Sequence, residues 1–338
     1  MLPFVIKRVA LGALVVIGVV ALTFVIARVI PGDPAVTYAG PHATAASIAA
    51  ARRTLGLDNP VIVQLLDYLK GIFDGNWGTS YRTHHEVLSD LGTALPASIE
   101  LVVAGILIAI VVGLPCGLLA ARFNGRAPDL LVRVVSVIGV SMPVFWLALI
   151  LQRLFAGDLH WLPTAGVYNP DLYYSHPLTS YTNMPVLDAL IGGNWAVLGS
   201  ALSHLLLPAL VVAAYPAGLI ARMVRASLLD TLGENHVRMT RALGFGERAL
   251  FTRYALRPAL NPVVQVIALV FAYALANTFL VEAVFDWPGL GSYAANSLQA
   301  LDTPAVMGVA LIVAIAYVVL NLAVDILQAT IDPRIRVT

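Results

Sequence analysis

The chain has 338 residues, of which 59% are hydrophobic and only 12% are charged. Because soluble domains carry about 25% charged residues, a chain this poor in charge must expose much of its surface to lipid. Its net charge of +1 gives no indication of nucleic-acid binding, and its single cysteine excludes an intramolecular disulfide or a cysteine-based metal site.

The N-terminal segment predicts a retained membrane helix. Lys7 and Arg8 precede an uncharged run from Val9 to Ala27. This run is longer than the roughly 7–15 apolar residues of a signal-peptide core, and no clear small-residue cleavage site follows it. We therefore interpret it as the first transmembrane helix.

Six segments are apolar enough to cross a bilayer, which requires about 20 predominantly apolar residues per helix. They are Val9–Ile30, Ala97–Ala121, Leu130–Leu154, Leu202–Val224, Ala259–Ala283 and Ala305–Thr330. In lipid a backbone must satisfy its own hydrogen bonds, and none of the six alternates strictly enough for a membrane β-strand. The predicted fold class is an all-α integral membrane protein with six transmembrane helices.

The connections between these spans are unequal in length. The segment that follows the first helix, from about Pro31 to Pro96, is long and of mixed composition, and Ala43–Leu55 and Val61–Ile72 within it have helical character. A second long segment, from Phe155 to Ala201, is rich in Tyr, Pro, Asn and Gly and is predicted to be an ordered loop.

The distribution of basic residues predicts the orientation. Six of the 20 lysines and arginines fall on one side of the spans, at Arg28, Arg52, Arg53, Lys70, Arg82 and Arg153. The other 14 fall on the opposite side, which the positive-inside rule assigns to the cytoplasm. Both termini are therefore predicted to be cytoplasmic, and an even number of spans gives the same result.

The cytoplasmic segment from Arg225 to Pro258 is the most charged part of the chain. The composition of Glu234–Leu243 favours a helix, and Gly244 follows where a helix C-terminus prefers a residue with positive φ. A second helix is expected from Gly246 to Arg257, before Pro258. Two short helices on an otherwise small cytoplasmic face suggest a docking element, and the alternative is a solvated connecting loop.

Val237–Gly244 and Arg253–Pro262 resemble the EAA loop of bacterial ATP-binding-cassette (ABC) importer permeases. They are most similar to the B-type permease subunit of the dipeptide, oligopeptide and nickel importer family. Further segments resemble this family in order along the chain: Ile30–Ala35, Gly75–Ser80, Leu95–Leu101, Trp161–Pro163, Leu205–Leu210, Val281–Gly291, Asn321–Asp325 and Asp332–Arg336.

The resemblance implies a type I ABC-importer permease fold. Residues 1–96 would form the first helix and an extracytoplasmic segment, residues 97–330 the transmembrane core with a cytoplasmic coupling loop at 225–258, and residues 331–338 a cytoplasmic tail. The chain would be a multi-pass protein of the bacterial inner membrane. It would form half of the translocation pathway for di- and oligopeptides or related solutes.

The partners implied by the resemblance are separate chains. They are a second, homologous permease, one or two cytoplasmic ABC ATPase subunits, and an extracytoplasmic solute-binding protein. A helix from about Glu234 to Leu243 would sit in a cleft of the ATPase. The residues assigned to this coupling site are Glu234, Val237, Arg238, Thr240, Arg241, Ala242, Gly244 and Arg248, and the family's Glu-Ala-Ala falls on Arg238-Met239-Thr240.

ATP chemistry is not expected in this chain. A phosphate-binding loop needs a lysine after a glycine, and neither Lys7 nor Lys70 follows one. The chain is therefore predicted to be a transport subunit without enzymatic activity and without a cofactor, with ATP and Mg on the partner subunits.

Polar residues within the spans are candidates for the translocation pathway, because they are costly to bury in lipid. They are Gln265, Asn277, Glu282, Asn321 and Asp325. Asp325 is expected to pair with an arginine such as Arg133 or Arg222. The alternative for these residues is hydrogen bonding between helices or proximity to the membrane interface.

Other functional classes have weaker support. A self-sufficient secondary transporter or channel would not need the cytoplasmic docking element. An intramembrane hydrolase could use Ser200, Ser203 and His204, but the Gly-x-Ser-x-Gly elbow is missing. The run His84-His85-Glu86 is a poor metal site, because adjacent histidines in a loop or strand point apart.

Overall fold

The computed structural model describes residues 2–29, 33–40 and 42–331. The first three residues of the segment Ile30–Ala35, the segment Asp332–Arg336 and the predicted tail after residue 331 lie outside these ranges. The helices in the first half of the chain are α1 Leu2–Val29, α2 Pro34–Ala39, α3 Ala45–Thr54, α4 Val61–Phe73, α5 Val87–Arg122, α6 Ala127–Ser141 and α7 Val144–Leu151.

The remaining helices follow two further loops. They are α8 Leu172–Ser175, α9 Pro185–Ile191, α10 Trp195–Leu232, α11 Asn235–Ala242, α12 Glu247–Ala249, α13 Leu256–Asn277, α14 Phe279–Phe285, α15 Leu290–Gln299 and α16 Thr303–Ile331. Two π-helical segments, Gln152–Asp158 and Leu250–Ala255, continue α7 and join α12 to α13.

The described residues contain five uninterrupted helices that are long and apolar enough to span a membrane, and a sixth if a bent pair counts as one span. The bent pair is the predicted third helix, so the expectation of a continuous Leu130–Leu154 was wrong. α6 and α7 meet at 108°. Pro143 lacks a backbone donor and keeps the preceding Met142 extended, which ends α6.

Other helix boundaries also differ from the prediction. α10, for example, begins seven residues before the predicted Leu202 and ends eight residues after Val224. α5 begins at Val87, ten residues before the predicted Ala97, and the predicted fifth span ends at Asn277 instead of Ala283. The side chains of Asn277 and Thr278 donate hydrogen bonds to carbonyls of the preceding turn, at 2.9 and 3.1 Å. Such bonds compete with the helical ladder and favour a break at this point.

The two long connections are partly helical. α3 and α4 confirm the two helices predicted after the first span. The predicted loop Phe155–Ala201 was wrong as a description of the whole segment, since it holds α8 and α9 and its end belongs to α10.

The chain divides into two compact units. Unit 1 comprises Met1–Ser98, Ser180–Met184 and Asp286–Thr338, and unit 2 comprises Ile99–Thr179 and Pro185–Phe285. Each has its own apolar clusters.

In unit 1 the first and last helices pack together closely. A Cβ on Gly12 of α1 would lie 2.4 Å from Cγ1 of Val318 in α16, so a larger residue there would have to displace the Val318 side chain. A cluster that includes Val20, Leu91 and Leu311 fills the space between α1, α5 and α16.

A buried carboxylate fixes the loop before α5 to the start of α16. Asp302 is fully buried and accepts hydrogen bonds from the Ser80 hydroxyl at 2.5 Å, the Arg82 amide at 3.2 Å and the Ala305 amide at 3.3 Å. Because the last of these is an amide of the first turn of α16, Asp302 also caps that helix.

A neighbouring carboxylate, Asp90, orders the same region. It accepts from the Thr83 hydroxyl at 2.5 Å and from the Tyr293 hydroxyl at 3.1 Å. Burial, and then the negative charge of Asp90, raise the pKa of Tyr293, so the phenol stays protonated as a donor at neutral pH.

In unit 2 small residues bring α5 against α10. Cβ atoms built on Gly105, Gly113 and Gly117 would lie 2.6–3.0 Å from atoms of α10. The spacing of Gly113 and Gly117 is that of the small-xxx-small pattern, which lets membrane helices approach until their backbones touch. α10 also packs against α6 and α13, so it forms the centre of unit 2.

We expect Gly117→Ala to destabilise the protein by about 1–3 kcal/mol, the usual cost of overpacking a close contact. Its new methyl group would lie 2.6 Å from the Ala221 carbonyl oxygen and from Cβ of Val224. Thermal unfolding in mild detergent measures the loss. The matched control is Gly92→Ala, also in α5, where nothing lies within 4 Å of the new Cβ. Equal melting temperatures for the two variants would contradict the close approach.

We expect Asp302→Ala to lower the free energy of unfolding by about 1–3 kcal/mol, because the buried Ser80 hydroxyl loses its acceptor. The exposed Asp58 supplies the control Asp58→Ala. Hydrogen exchange at the start of α16 should rise in the first variant alone, and protection that stays at the wild-type level would argue against the cap.

Candidate functional site

The candidate docking helix, α11, is held to unit 2 by one apolar residue. Val237 is fully buried in a cluster with Leu228 of α10, Leu250 and Ala255. Its burial fixes the rotation of α11 about its own axis. The side chain predicted to contact a partner therefore faces this chain's own core.

The C-terminus of α11 has a Schellman cap. Gly244 has φ +87°, its amide donates to the Arg241 carbonyl at 3.0 Å, and the Phe245 amide reaches back to the Thr240 carbonyl at 3.5 Å. The Phe245 ring then packs edge-on against Tyr254, with 5.5 Å between ring centroids. The predicted position of Gly244 at the helix end, with positive φ, is confirmed.

The side of α11 opposite Val237 faces outward. At about 100° per residue, Arg238, Met239, Ala242 and Leu243 fall on this one side. All four are exposed, Met239 by 67% and Leu243 by 68%. We call these four residues the outer face of α11. It combines one cation, two large apolar side chains and a small residue that permits close approach.

The other charged residues of the segment have partners within the chain. Arg241 donates to Glu247 at 2.7 and 3.1 Å, which raises the pKa of Arg241 and keeps it charged. Glu234 lies 3.0 Å from His236, and Thr240 donates to the His236 carbonyl. Arg248 is exposed. Arg241, which was assigned to the coupling site, therefore already has an acidic partner within this chain.

The segment after Gly244 does not end at Pro258 as predicted. α12, a π-helical segment and α13 form one helical path from Glu247 into the membrane. Pro258 lies in the first turn of α13, directly after the π-helical segment. A π-helix shifts the local hydrogen-bond pattern, so the missing donor of proline is tolerated.

A buried ion pair fixes the end of α10 that leads into α11. Asp129 is fully buried and accepts two hydrogen bonds from the Arg225 guanidinium, at 2.6 and 2.9 Å, and one from the Gly125 amide at 2.9 Å. Arg225 also donates to Asn124 at 2.8 Å. The start of α6 and the last two turns of α10 therefore hold together through paired charges.

Three of the predicted pathway residues belong to unit 2. Gln265 is half-buried on α13, and Asn277 is exposed and donates to the Tyr273 carbonyl of its own helix at 2.9 Å. Glu282 on α14 is fully buried and has an interaction partner.

The other two lie on α16 in unit 1. Asn321 donates to the Tyr317 carbonyl of its own helix at 2.9 Å. Asp325 pairs with Arg8 at 3.1 Å, so the predicted pairing with Arg133 or Arg222 was wrong. Arg133 instead lies 3.5 Å from Asp129. The prediction failed because the packing of α1 against α16 joins residues that are far apart in the sequence, and no local pattern indicates it.

The weaker catalytic and metal arrangements do not assemble in the structure. His204 Nδ1 lies 2.8 Å from the Ser200 carbonyl, and the Ser203 hydroxyl donates to the same carbonyl at 2.6 Å. His204 Nδ1 also lies 3.5 Å from the Ser203 hydroxyl. Because a carbonyl only accepts, Nδ1 carries the proton in its contact with Ser200 and is not placed to take one from Ser203. His85 pairs with Asp90 at 3.4 Å, and the described part of the chain holds no group of three or more metal-ligating side chains.

Met239 and Leu243 were missed by the sequence analysis. The sequence did contain a pattern that places them together, because Met239 and Leu243 are one helical turn apart and directly follow Arg238 and Ala242, which are also one turn apart. It becomes informative only when Val237 is known to face inward.

Comparison with known proteins covers nearly the whole chain. Residues 113–337 match the family described as binding-protein-dependent transport system inner membrane component. Residues 1–102 match the N-terminal model of the same transport systems.

Full-length relatives agree with this match. The chain is 44% identical to the probable D,D-dipeptide transport system permease protein of Escherichia coli, over 95% of this chain and 94% of the relative. It is 37% identical to the dipeptide transport system permease protein of Alkalihalophilus pseudofirmus, over 99% and 100%. It is 34% identical to the glutathione transport system permease protein of Salmonella typhimurium, over 99% of each chain.

These matches extend over both units and include α11 with its cap. The same kind of relative therefore matches nearly the full length of the chain. The chain belongs to the family of binding-protein-dependent transport system inner membrane components, and it is a multi-pass permease subunit of an ABC importer, not an enzyme.

Proposed function

We propose that this chain is the B-type permease of an importer for dipeptides or short oligopeptides. The names of the relatives support this substrate class, since they describe permeases of a probable D,D-dipeptide, a dipeptide and a glutathione transport system. The alignments run from end to end, so both units take part in the likeness. We keep the domain division that the family resemblance implies. Residues 1–96 form an N-terminal addition, and residues 97–330 form the transmembrane core.

The proposed partners are a second homologous permease, one or two cytoplasmic ABC ATPases and an extracytoplasmic binding protein. The family implies an ATPase and a binding protein, and the second permease would supply the other half of the pathway. The segments 31–96 and 155–201 would face the binding protein or the outer gate. Both termini would be cytoplasmic, as the basic residues predict.

The outer face of α11 is the observation that carries the coupling proposal. An exposed Met239 and Leu243 on a rigidly capped helix form an apolar ridge that needs a cleft to cover it. Arg238 beside the ridge would meet an acidic group of the ATPase. Glu234, Thr240 and Arg241 would order the segment from within, as their partners in this chain indicate.

The same contacts provide a path for motion into the membrane. α11 is joined to α10 by Val237 and to α13 by the continuous helical segment after Gly246. α10 and α13 also pack along each other. A displacement of α11 on ATP binding would therefore move two spans together, which is the mechanical requirement of alternating access.

Among the proposed pathway residues, Asn277 is the most accessible. Its side chain is exposed beside Tyr273, which is also exposed and packs at a tilt against Tyr215, with 4.7 Å between ring centroids. An amide next to aromatic rings suits a peptide, which offers both polar backbone groups and apolar side chains. Gln265, Glu282, Asn321 and Asp325 would contribute polarity elsewhere along the route.

We expect Met239→Asp to weaken ATPase binding about tenfold or more, because an unpaired carboxylate would enter an apolar cleft at a cost of at least ~1.4 kcal/mol. The measurement is recovery of the ATPase subunits with the tagged permease, purified from its native membrane in mild detergent. Met239→Leu keeps the apolar surface and serves as the matched control.

Recovery of the ATPases at the wild-type level with Met239→Asp would contradict the coupling role of the outer face. Recovery of this chain alone with the wild-type sequence, with solute transport intact in liposomes, would contradict the importer proposal as a whole. Melting temperatures of both variants show whether the helix itself is intact.

We expect the assembled complex in liposomes to take up labelled dipeptides only when ATP and the binding protein are both present. Unlabelled dipeptides should compete with this uptake, whereas free amino acids should compete poorly. ATP-dependent uptake of another solute class, with no competition by peptides, would overturn the substrate assignment and leave the family assignment unchanged.

A further inference from the structure

α4 exposes a stripe of large apolar side chains. Ile62, Leu66 and Phe73 are 62%, 58% and 84% exposed. At 3.6 residues per turn, the three positions fall within about 40° of one another around the helix. We call these three residues the α4 stripe. Large apolar side chains gathered on one side of a helix indicate a surface that something apolar covers.

Another side of α4 is already covered. Tyr68, Leu69 and Ile72 pack against the apolar cluster of unit 1, and the Tyr68 ring stacks on Phe24 of α1 with 6.4 Å between centroids. α4 is therefore apolar on two adjacent sides, of which unit 1 covers only one. Its remaining side carries Gln64 and Asp67, and the Gln64 amide donates to the carbonyls of Leu57 and Asn59.

The contact with Phe24 gives the depth of α4 in the membrane. The uncharged run of α1 ends at Ala27, before Arg28 and three residues after Phe24. At a rise of 1.5 Å per residue, Phe24 lies roughly 4–5 Å inside the end of the span. Helices that lie in a membrane interface bury their apolar side about 5–10 Å below the headgroups.

The surfaces next to α4 have the chemistry of the same boundary. Leu22 and Val25 of α1, beside Phe24, are exposed apolar residues of a membrane span, which is the chemistry of a lipid-facing surface. Lys70 is exposed and lies on α4 beside the α4 stripe. A lysine in this position can lay its stem along the acyl region and place its ammonium among phosphates.

We propose that α4 is an interfacial helix, with the α4 stripe inserted among phospholipid acyl chains at the end of α1 and Lys70 at the lipid phosphates. The depth of the helix follows from its contacts within unit 1. It does not depend on the transported solute, so this inference and the peptide assignment stand or fall separately.

The experiment places nitroxide labels on α4 in the assembled complex, reconstituted in liposomes of phosphatidylethanolamine and phosphatidylglycerol. In a Cys116→Ser background, Ile62→Cys, Leu66→Cys and Phe73→Cys label the stripe, and Asp67→Cys is the matched control on the polar side. Electron paramagnetic resonance then compares collisions with oxygen, which concentrates in lipid, and with a water-soluble nickel chelate.

We expect labels on the α4 stripe to show a several-fold higher ratio of oxygen to nickel collisions than the label at position 67. High nickel accessibility along the stripe would place it in water and overturn the proposal. Immobile labels shielded from both reagents would show that a protein subunit covers the stripe, which also overturns it. If the Cys116→Ser background fails to assemble, Cys116→Ala suits the apolar cavity that this residue lines.

Discussion

The close approach of α5 and α10 is the contact on which unit 2 depends. Apolar side chains gain little by leaving lipid for a protein interior, so packing between membrane helices depends on how closely their backbones can meet. Gly105, Gly113 and Gly117 remove the side chains that would keep these helices apart. α10 can then serve as the common neighbour of α6 and α13, and its far end supports α11.

Rigidity around α11 follows from different forces. The Asp129–Arg225 pair fixes the end of α10, Val237 sets the rotation of α11, and the cap at Gly244 sets the exit of the chain. Each acts on a separate degree of freedom of the same short helix. The outer face of α11 is thus presented in one orientation by a segment with little apolar core of its own.

The sequence predicted the class of the fold, the helices α3, α4 and α11, and the turn at Gly244, because each depends on local chemistry within a few residues. It did not predict the break at Met142 and Pro143, since proline in membrane helices is often tolerated and tertiary contacts decide whether a helix bends. The partner of Asp325 was missed for the same reason. Arg8 lies at the other end of the chain, and no local pattern links the two.

Within the candidate site, the sequence predicted the helix α11 and its turn correctly, but it did not predict which of its side chains face outward. The resemblance pointed to Val237 and Arg241, but the fold turns Val237 inward and gives Arg241 a partner in Glu247. Whether a side chain on a short helix faces the protein or its surroundings is set by a single buried anchor. That anchor can be identified only when the neighbouring helices are in place.

The pairing of α1 with α16 has a consequence for the synthesis of the protein. α1, which precedes unit 2 in the chain, packs against α16, which follows it, through Gly12 and Val318 and through the Arg8–Asp325 ion pair. During translation α1 must therefore wait in the bilayer, without its neighbour, until all of unit 2 has been made. Unit 1 closes only when α16 has been made, so a product truncated before α16 would carry an incomplete first unit even where its second unit is whole.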